Sequence, residues 1–486
     1  MICRRLARNK SARILVTAPT NRAVIVLAQR FLDVVNSCND ELVQDCNAVL
    51  VGVEDKLIPH KAIKSEPNYM SVDSLPSSLQ SIFVYTWTDS IKNEYIKLLK
   101  SLKSSRSTLP GEVIKDATII SNKLCNSIPN AQTVIHYSRM IVQQLNKAFQ
   151  EDVFLHEEFR CSSASPIDTA ISHIEHLLEV IDEFEDVVPE LLSTARVIFC
   201  TLSTAGASIM KRTRKIDDLL VDEAACATES EMTIPFHLRP DNFLAVGDPM
   251  QLPPTIMSPH AASLGLSLSM HDRLMNYCQH DFVMLDHQYR MKPQISSFPN
   301  RSFYGGKILD GENVISNYFS GFSLRSGPYS FINVPDGIEF QDPGGSYANR
   351  EECTVVLRLV EELSKAGKIN LDEEKLRIIT FYQGQVNLLK RILAQKGYHG
   401  VMVATVDSSQ GCESDVVIIS FVRSSDKKGT FHATGFLTDD RRINVALTRA
   451  RYQLVCVGNA KGTLGREGSE VLRSLVLDAE HRGCIV

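Results

Sequence analysis

No Cys-x-x-Cys pair and no Cys/His set at zinc spacing occurs among the 12 cysteines of this 486-residue chain, which excludes a zinc ribbon or a disulfide framework and fits a reducing compartment. No apolar run approaches the ~18 residues that a membrane span needs. The opening Met1-Ile2-Cys3-Arg4-Arg5-Leu6-Ala7-Arg8 lacks a signal-peptide pattern, and the closing Cys484-Ile485-Val486 places its cysteine one residue too late for prenylation. Low-complexity tracts are absent too, and 44% hydrophobic with 22% charged residues is ordinary for a globular protein. A net charge of -5 excludes a globally basic nucleic-acid binder while leaving room for a local basic groove. Finally, no Gly-Lys-Ser or Gly-Lys-Thr occurs anywhere, so the sequence contains no glycine-rich cradle and lysine for β- and γ-phosphates. These absences predict a protein of the cytoplasm or nucleus without a membrane segment.

What is present organises itself around Leu219 to Pro254. Leu219-Leu220-Val221 ends abruptly in Asp222-Glu223-Ala224-Ala225, and Phe243-Leu244-Ala245-Val246 ends in Gly247-Asp248-Pro249-Met250-Gln251-Leu252-Pro253-Pro254. Short apolar runs of this kind suit strands buried on both faces of a parallel sheet. Ligands bind at the carboxyl ends of such strands. Two adjacent carboxylates there suit a magnesium nucleotide, Asp222 holding the Mg2+ shell through water and Glu223 orienting and deprotonating the attacking water, with Gln251 at the next strand end reporting on the γ-phosphate.

At 486 residues the chain accommodates two or three domains. Residues 1–9 read as the last turns of a basic helix. Arg13 to Ala18 reads as a β-branched strand, Pro19-Thr20-Asn21 as a turn and Arg22 to about Asp33 as a helix. From Ser37 to Ala195 the apolar residues recur at helical spacing, as in Ile171, Ile174, Leu177, Leu178, Ile181 and Phe184, with loop-like pieces around Glu66 to Ser81 and Ser104 to Gly111. The single tryptophan, Trp87, is read as a core residue before a base-stacking one. Arg196 to Thr201 is again a buried strand followed by small and hydroxyl residues, and Ser258 to Tyr277 reads as helices.

In the second half, Gln288-Tyr289-Arg290-Met291 combines an aromatic face with a planar cation, groups able to stack on adenine and to stabilise charge on a transferring phosphoryl group. One short strand, Tyr329 to Val334, is expected between Gly305 and Arg350, then an amphipathic helix over 351–366 and a strand, Leu376 to Thr380, leading into a helix. Val403-Ala404-Thr405-Val406-Asp407-Ser408-Ser409-Gln410-Gly411-Cys412-Glu413-Ser414-Asp415-Val416 places two strands around a loop in which Gly411 permits close backbone approach and Glu413 bonds a ribose hydroxyl or orders nearby arginines. The run Gly435-Phe436-Leu437-Thr438-Asp439-Asp440-Arg441-Arg442-Ile443-Asn444-Val445-Ala446-Leu447-Thr448-Arg449-Ala450-Arg451 reads as a capped helix with Arg442 and Arg449 near one face, followed by a strand, Leu454 to Val457.

In this order the segments resemble motifs Ia, Ib, II, III, IV, V and VI of superfamily 1 helicases, in particular the 1B branch that includes the nonsense-mediated-decay helicase and senataxin. The resemblance covers the chain from about Arg13 to Asn459 outside the insertion. It implies two RecA-like P-loop NTPase domains, α/β with parallel sheets, and a helical insertion in the first. Residues 1–36 and 196–275 would form the first domain, 37–195 the insertion, 276–465 the second domain and 466–486 a C-terminal tail. It further implies ATP and Mg2+ as cofactors, single-stranded RNA or DNA as partner, and ATP-driven 5′ to 3′ movement. Asp222, Glu223, Gln251, Arg290 and Arg449 would be catalytic, the two arginines as fingers on the γ-phosphate. Tyr289 would be the adenine platform, with Gly247, Asp248, Gly411 and Glu413 also at the nucleotide. Pro19, Thr20, Asn21, Thr201, Ser203, Thr405 and Asp407 would grip the nucleic-acid backbone. The chain departs from the pattern at Cys226, where the branch has Gln, at Ser409, where it has an aromatic or apolar residue, and above all in lacking the phosphate loop. That loop opens the helix with which the branch reaches the position of Met1, so the expectation is a fragment of a longer enzyme. A binding module without catalysis and a non-helicase ATPase switch remain the rival readings.

Overall fold

The structure is a computed structural model that describes all residues except 10, 39–46, 53–76, 105–110, 128–131, 155–165, 183–186, 317–326, 368–371, 373 and 425–435. Phe184, Gly435, most of the Glu66 to Ser81 stretch and the side chain of Trp87 lie outside the described residues. The chain divides into two compact units, Met1–Gly247 with Ser269–His271, and Asp248–Leu268 with Asp272–Val486.

The first unit is built on five parallel strands, β1 (Ile14–Ala18), β2 (Ala48–Leu50), β3 (Val197–Thr201), β4 (Asp218–Val221) and β5 (Asn242–Ala245), in the order β2-β3-β1-β4-β5. Every residue of β1 and β3 is buried, as the unbroken apolar runs require of central strands covered on both faces. Helix α1 (Ile2–Arg8) precedes the sheet. Helix α2 (Asn21–Ser37) follows β1 and buries Val24, Ala28, Phe31 and Val35, one stripe at a spacing of three to four residues. It runs past Asp33 because Val35 still reaches the core. Strand β2 was not legible: three residues are too few for a period-two signal, and β3 recruits them.

Helices α3 (Ser77–Ile82), α4 (Val84–Ser104), α5 (Gly111–Ser127), α6 (Gln132–Phe154), α7 (Pro166–Asp182) and α8 (Val187–Thr194) fill the span between β2 and β3. Ser77 to Ser81 is therefore helix rather than loop, its Leu79 fully buried. Ile91, Tyr95, Leu98 and Leu102 of α4, Leu124 of α5, Ile141 and Leu145 of α6, and Ile174, Leu177 and Ile181 of α7 belong to one core that continues into the sheet. A chain of hydroxyls pins three of the helices: Tyr95 Oη and Ser138 Oγ lie 2.8 Å apart, and Ser138 Oγ donates to Ser121 Oγ at 2.8 Å.

The second unit contains β6 (His287–Gln288) and β7 (Leu309–Asp310), a parallel pair, and β9 (Glu339–Gln341) and β10 (Tyr347–Asn349), an antiparallel hairpin. Its main sheet is wholly parallel, β8 (Tyr329–Asn333), β11 (Leu376–Thr380), β12 (Met402–Thr405), β13 (Ser414–Ser420) and β14 (Ala450–Gly458), in the order β12-β11-β13-β14-β8. The stretch from Gly305 to Arg350 thus holds more strand than the one expected, because short polar strands such as Glu339-Phe340-Gln341 carry no apolar alternation. Helices α9 (Pro293–Tyr304), α10 (Arg350–Gly367), α11 (Gln383–Gln395), α12 (Asp440–Leu447) and α13 (Glu470–His481) accompany this sheet. The residues beyond 466 are integrated in the unit. Helix α13 buries Leu472, Leu475, Val476 and Ala479, and Phe331 N donates to Cys484 O at 2.9 Å. Among the described residues no helix is long and apolar enough to cross a membrane.

Candidate functional site

In the first unit the acidic pair stands at the carboxyl end of β4. Asp222 N donates to Thr17 O at 2.9 Å, the last rung of the β1–β4 ladder. Burial raises the Asp222 carboxyl above its ordinary value, countered by the Glu223 backbone N–H and by Arg30. A carboxylate desolvated in this way gains most from a cation brought to it, which fits the water-bridged Mg2+ expected there. Among the described residues no group of three or more His, Cys, Asp and Glu could hold a metal unaided, so phosphate and water oxygens would complete the shell. Glu223 sits in the left-handed region, φ 53°, a sharp break between strand and turn. Cys226, the residue in place of Gln, donates its thiol to Glu223 Oε2 at 3.8 Å.

Gly247 closes the same edge. A Cβ there would lie 2.7 Å from Ala225 N and 3.1 Å from Ala224 N, and Ala224 N donates to Val246 O at 2.9 Å. Only glycine lets the two strand ends approach this closely.

The other first-unit turns are occupied by capping. Thr20 Oγ1 accepts from Ala23 N at 3.2 Å at the start of α2, with Pro19 before it and Asn21 as the first helical residue. Thr201 is buried, its Oγ1 accepting from Thr204 N at 3.2 Å, whereas Ser203 is exposed. Of that pair, Ser203 presents its hydroxyl to solvent.

In the second unit one network joins five side chains. Tyr304 Oη donates to Asp248 Oδ2 at 2.6 Å, Gln251 Nε2 donates to the same oxygen at 2.8 Å, and Asn444 Nδ2 donates to Tyr304 Oη at 2.8 Å and to Met250 O at 2.9 Å. Arg449 Nη2 donates to Gln251 Oε1 at 3.5 Å. Burial, then the Asp248 carboxylate, pushes the Tyr304 phenol well above its usual range, so it is a donor at neutral pH. Tyr304 and Asn444 were missed in the sequence: the aromatic of Arg301-Ser302-Phe303-Tyr304 and the amide within the Arg442 to Arg449 run carry no signal of their partners.

Arg449 is not on the helix with Arg442, contrary to the expectation from their spacing. Helix α12 ends at Leu447, Thr448 caps it, and β14 begins at Ala450 rather than Leu454. The chain direction therefore changes between the two arginines. Arg449 is 2% exposed, with Nε donating to Val445 O at 2.9 Å and Nη2 to Thr448 Oγ1 at 2.9 Å. Arg442 pairs instead with Asp407 at 2.9 Å and Asp439 at 2.8 Å.

Glu413 stands between two arginines. It accepts from Arg290 Nε at 2.6 Å through Oε2 and from Arg451 Nε at 3.2 Å through Oε1. Burial acts to raise the carboxyl, but Arg290 and Arg451 outweigh it and hold it below the usual range. Glu413 thus holds two arginines, and Arg451, overlooked in the sequence, is the second of them. Arg290 Nη1 also donates to Thr448 O at 3.1 Å. Tyr289 is 65% exposed, its ring lying against the backbone of Gly311 and stacked on His287 with centroids 6.4 Å apart. Gly411 is left-handed, φ 72°. Thr405 Oγ1 lies 3.0 Å from Ser408 Oγ, and Ser409, the small residue in the motif V position, is buried and donates to Thr405 O at 2.8 Å.

Two parallel-sheet units with these strand-end carboxylates and arginines are RecA-like domains of the helicase type. Two family profiles described as AAA domain match the chain, one over residues 2–259 and the other over 266–461. The chain is 36% identical over 282 residues to Regulator of nonsense transcripts 1 of Caenorhabditis elegans, covering 56% of this chain and 26% of that protein. It is 34% identical over 307 residues to ATP-dependent helicase NAM7 of Saccharomyces cerevisiae, covering 61% and 30%. To Helicase sen1 of Schizosaccharomyces pombe it is 34% identical over 300 residues, covering 60% and 17%. The match spans less than a third of the length of each of these relatives. The chain belongs to the AAA-domain family of superfamily 1B helicases of the nonsense-decay and senataxin type.

Proposed function

We propose that the protein is an ATP-dependent translocase that moves 5′ to 3′ along single-stranded RNA or DNA, in the cytoplasm or nucleus, and separates strands as it goes. In this reading 1–36 with 196–275 and 276–465 are the two motor domains, 37–195 is an insertion and 466–486 a terminal segment. Bound Mg2+·ATP supplies the transferable phosphoryl group and the charge that the surrounding side chains must balance. Asp222 holds the cation through water. Glu223 takes a proton from the attacking water, and its φ of 53° sets the carboxylate off from the strand line. Gln251 senses the γ-phosphate, with Gly247 and Asp248 setting its turn. Tyr289 carries the adenine. Arg290 and Arg449 stabilise the developing charge, and Glu413 with Gly411 shapes the loop that presents them. Pro19, Thr20, Asn21, Thr201, Ser203, Thr405 and Asp407 hold the nucleic-acid backbone.

The observation that carries the reading is the Glu413 clamp. A half-buried carboxylate holding Arg290 at 2.6 Å fixes a cation from motif IV against the loop of motif V, a cost that a merely solvated arginine would not require. The second reading, a module that binds nucleic acid or a partner without hydrolysis, is favoured by the lack of Gly-Lys-Ser or Gly-Lys-Thr in these 486 residues.

One experiment separates them. The chain is compared with a version that carries, ahead of Met1, a strand and Gly-x-x-x-x-Gly-Lys-Thr loop taken from a relative. The motor reading expects ATP hydrolysis stimulated by single strands in the extended protein, falling by a factor on the order of 100 or more in Glu223→Gln, with ATP binding retained. Strand binding without turnover in the extended protein would establish the module instead.

A further inference from the structure

The loop leading into β4 is held from inside the protein by a buried arginine. Arg13, 9% exposed, donates from Nε to Ala195 O at 3.0 Å, from Nη1 to Arg214 O at 2.6 Å and Lys215 O at 3.0 Å, and from Nη2 to Leu192 O at 2.5 Å and Thr213 Oγ1 at 3.1 Å. Arg214 N donates to Ser193 Oγ at 3.2 Å. Burial, with Arg214 nearby, lowers the Arg13 guanidinium to about 10, so it remains charged at neutral pH. These bonds turn the loop's carbonyls inward, and Lys211, Arg212, Arg214 and Lys215 are all exposed, four cations within five residues.

Helix α1 adds exposed Arg4 and Arg8 at the same edge of the sheet. Arg196 Nη2, at the start of β3, donates to Leu6 O at 3.1 Å and Asn9 O at 2.9 Å, and Arg5 pairs with Asp218, the first residue of β4, at 2.7 Å. The neighbouring acids are engaged: Asp217 Oδ2 accepts from Arg13 N at 2.8 Å, Asp218 pairs with Arg5, and Asp241 pairs with Lys215 at 2.6 Å. A chain of net charge -5 thus has a positive edge here.

This edge carries the amino ends of β1, β3 and β4, whereas Asp222, Thr20 and Ser203 stand at the carboxyl ends. The loop is therefore separate from the surface lined by the motifs. None of these cations has an aromatic residue beside it in sequence. Cations on a fixed backbone match the regularly spaced charges of a duplex, which need no ordering on contact. We propose that Lys211, Arg212 and Arg214, with Arg4 and Arg8, form a second, sequence-independent site for the phosphate backbone of duplex nucleic acid. It does not rest on the hydrolysis reading.

The test is fluorescence anisotropy on the 486-residue chain with a blunt RNA or DNA duplex and with an unstructured single strand, across a salt series. In Lys211→Gln/Arg214→Gln, duplex affinity falls and the slope of log affinity against log salt falls by roughly 2, with single-strand affinity unchanged. Lys211→Arg/Arg214→Lys restores the wild-type slope, which separates lost charge from lost folding. An unchanged duplex slope overturns the proposal, as does an equal loss on the single strand. So does a wild-type chain that ignores duplex but binds a polyglutamate peptide through these residues, which would make the surface a dock for acidic polypeptide. Failure of single-strand binding alone counts against the motor reading and leaves this site standing.

Discussion

Arg290 Nε lies 2.6 Å from Glu413 Oε2, an ion pair between residues 123 apart in sequence whose side chains are each less than one-third exposed. Arg451 binds the other oxygen of the same carboxylate at 3.2 Å. A carboxylate shared by two guanidinium groups fixes both, and removing it leaves two cations facing one another.

Glu413→Gln should therefore destabilise the second unit by about 1–3 kcal/mol near neutral pH. Because the folded carboxyl is held below its usual range, its contribution is present above the unfolded value and fades as pH falls through the folded one. Denaturant titrations should show the gap between wild type and variant closing in acid. A gap that persists unchanged at low pH would mean that Glu413 acts by packing.

Glu352 titrates in the opposite sense. It is 1% exposed, accepts from Ser420 Oγ at 2.6 Å and Val422 N at 2.9 Å, and burial pushes its carboxyl up to about 8. A raised folded value means that the protonated form is the one folding favours. Stability is complete below the ordinary glutamate range and declines as pH rises towards about 8. Glu352→Gln, which cannot ionise, should flatten this decline in unfolding curves between acid and mildly basic pH. An equally steep decline in the variant would assign it to another group.

The same bonds bear on Val422, a β-branched residue at φ 71°. Its N–H is held by Glu352 and its carbonyl accepts from Asn349 Nδ2 at 3.1 Å. Val422→Gly should relieve strain of about 1–2 kcal/mol, offset by the entropy that glycine loses on folding and by the buried side chain removed. Asn349→Ala should destabilise in the Val422 background by more than in Val422→Gly, a coupling that a double-mutant cycle reads directly. Strict additivity would show that the amide does not hold the turn.

Two glycines should respond differently to alanine. At Gly247 the new Cβ meets backbone 2.7 Å away, so the strand ends must separate, at about 1–3 kcal/mol. At Gly411 there is open space but φ is 72°, so only the conformational penalty of about 1–2 kcal/mol applies. Urea denaturation measures both. Compensating substitutions of Ala225 by Gly should relieve neither, because the clash at Gly247 is with backbone nitrogen.

The parallel strands and the positions of the acidic and basic motifs were legible because each depends on neighbours in sequence. An unbroken run such as Val197 to Thr201 must be buried on both faces, and a carboxylate directly after Leu219-Leu220-Val221 must stand at a strand end. Helix α2 and the helices of 37–195 followed from apolar spacing, since a stripe at three to four residues has no other use. The strands that escaped, β2, β6, β7, β9 and β10, are each only two or three residues long, too short for an apolar period to show.

Tertiary structure alone decided the partners. Seven-residue spacing placed Arg442 and Arg449 together, but Thr448 ends the helix and the chain turns into β14, burying Arg449 and sending Arg442 to Asp407. Tyr304 meets Asp248, Glu413 meets Arg451, and Arg13 meets the carbonyls of Arg214 and Lys215, none of which follows from residue type. Sequence fixes what each strand end carries, since periodicity and local chemistry act over a few residues. Which of those groups touch is settled by how distant segments pack, where burial and hydrogen-bond satisfaction select among many pairings that the sequence equally allows.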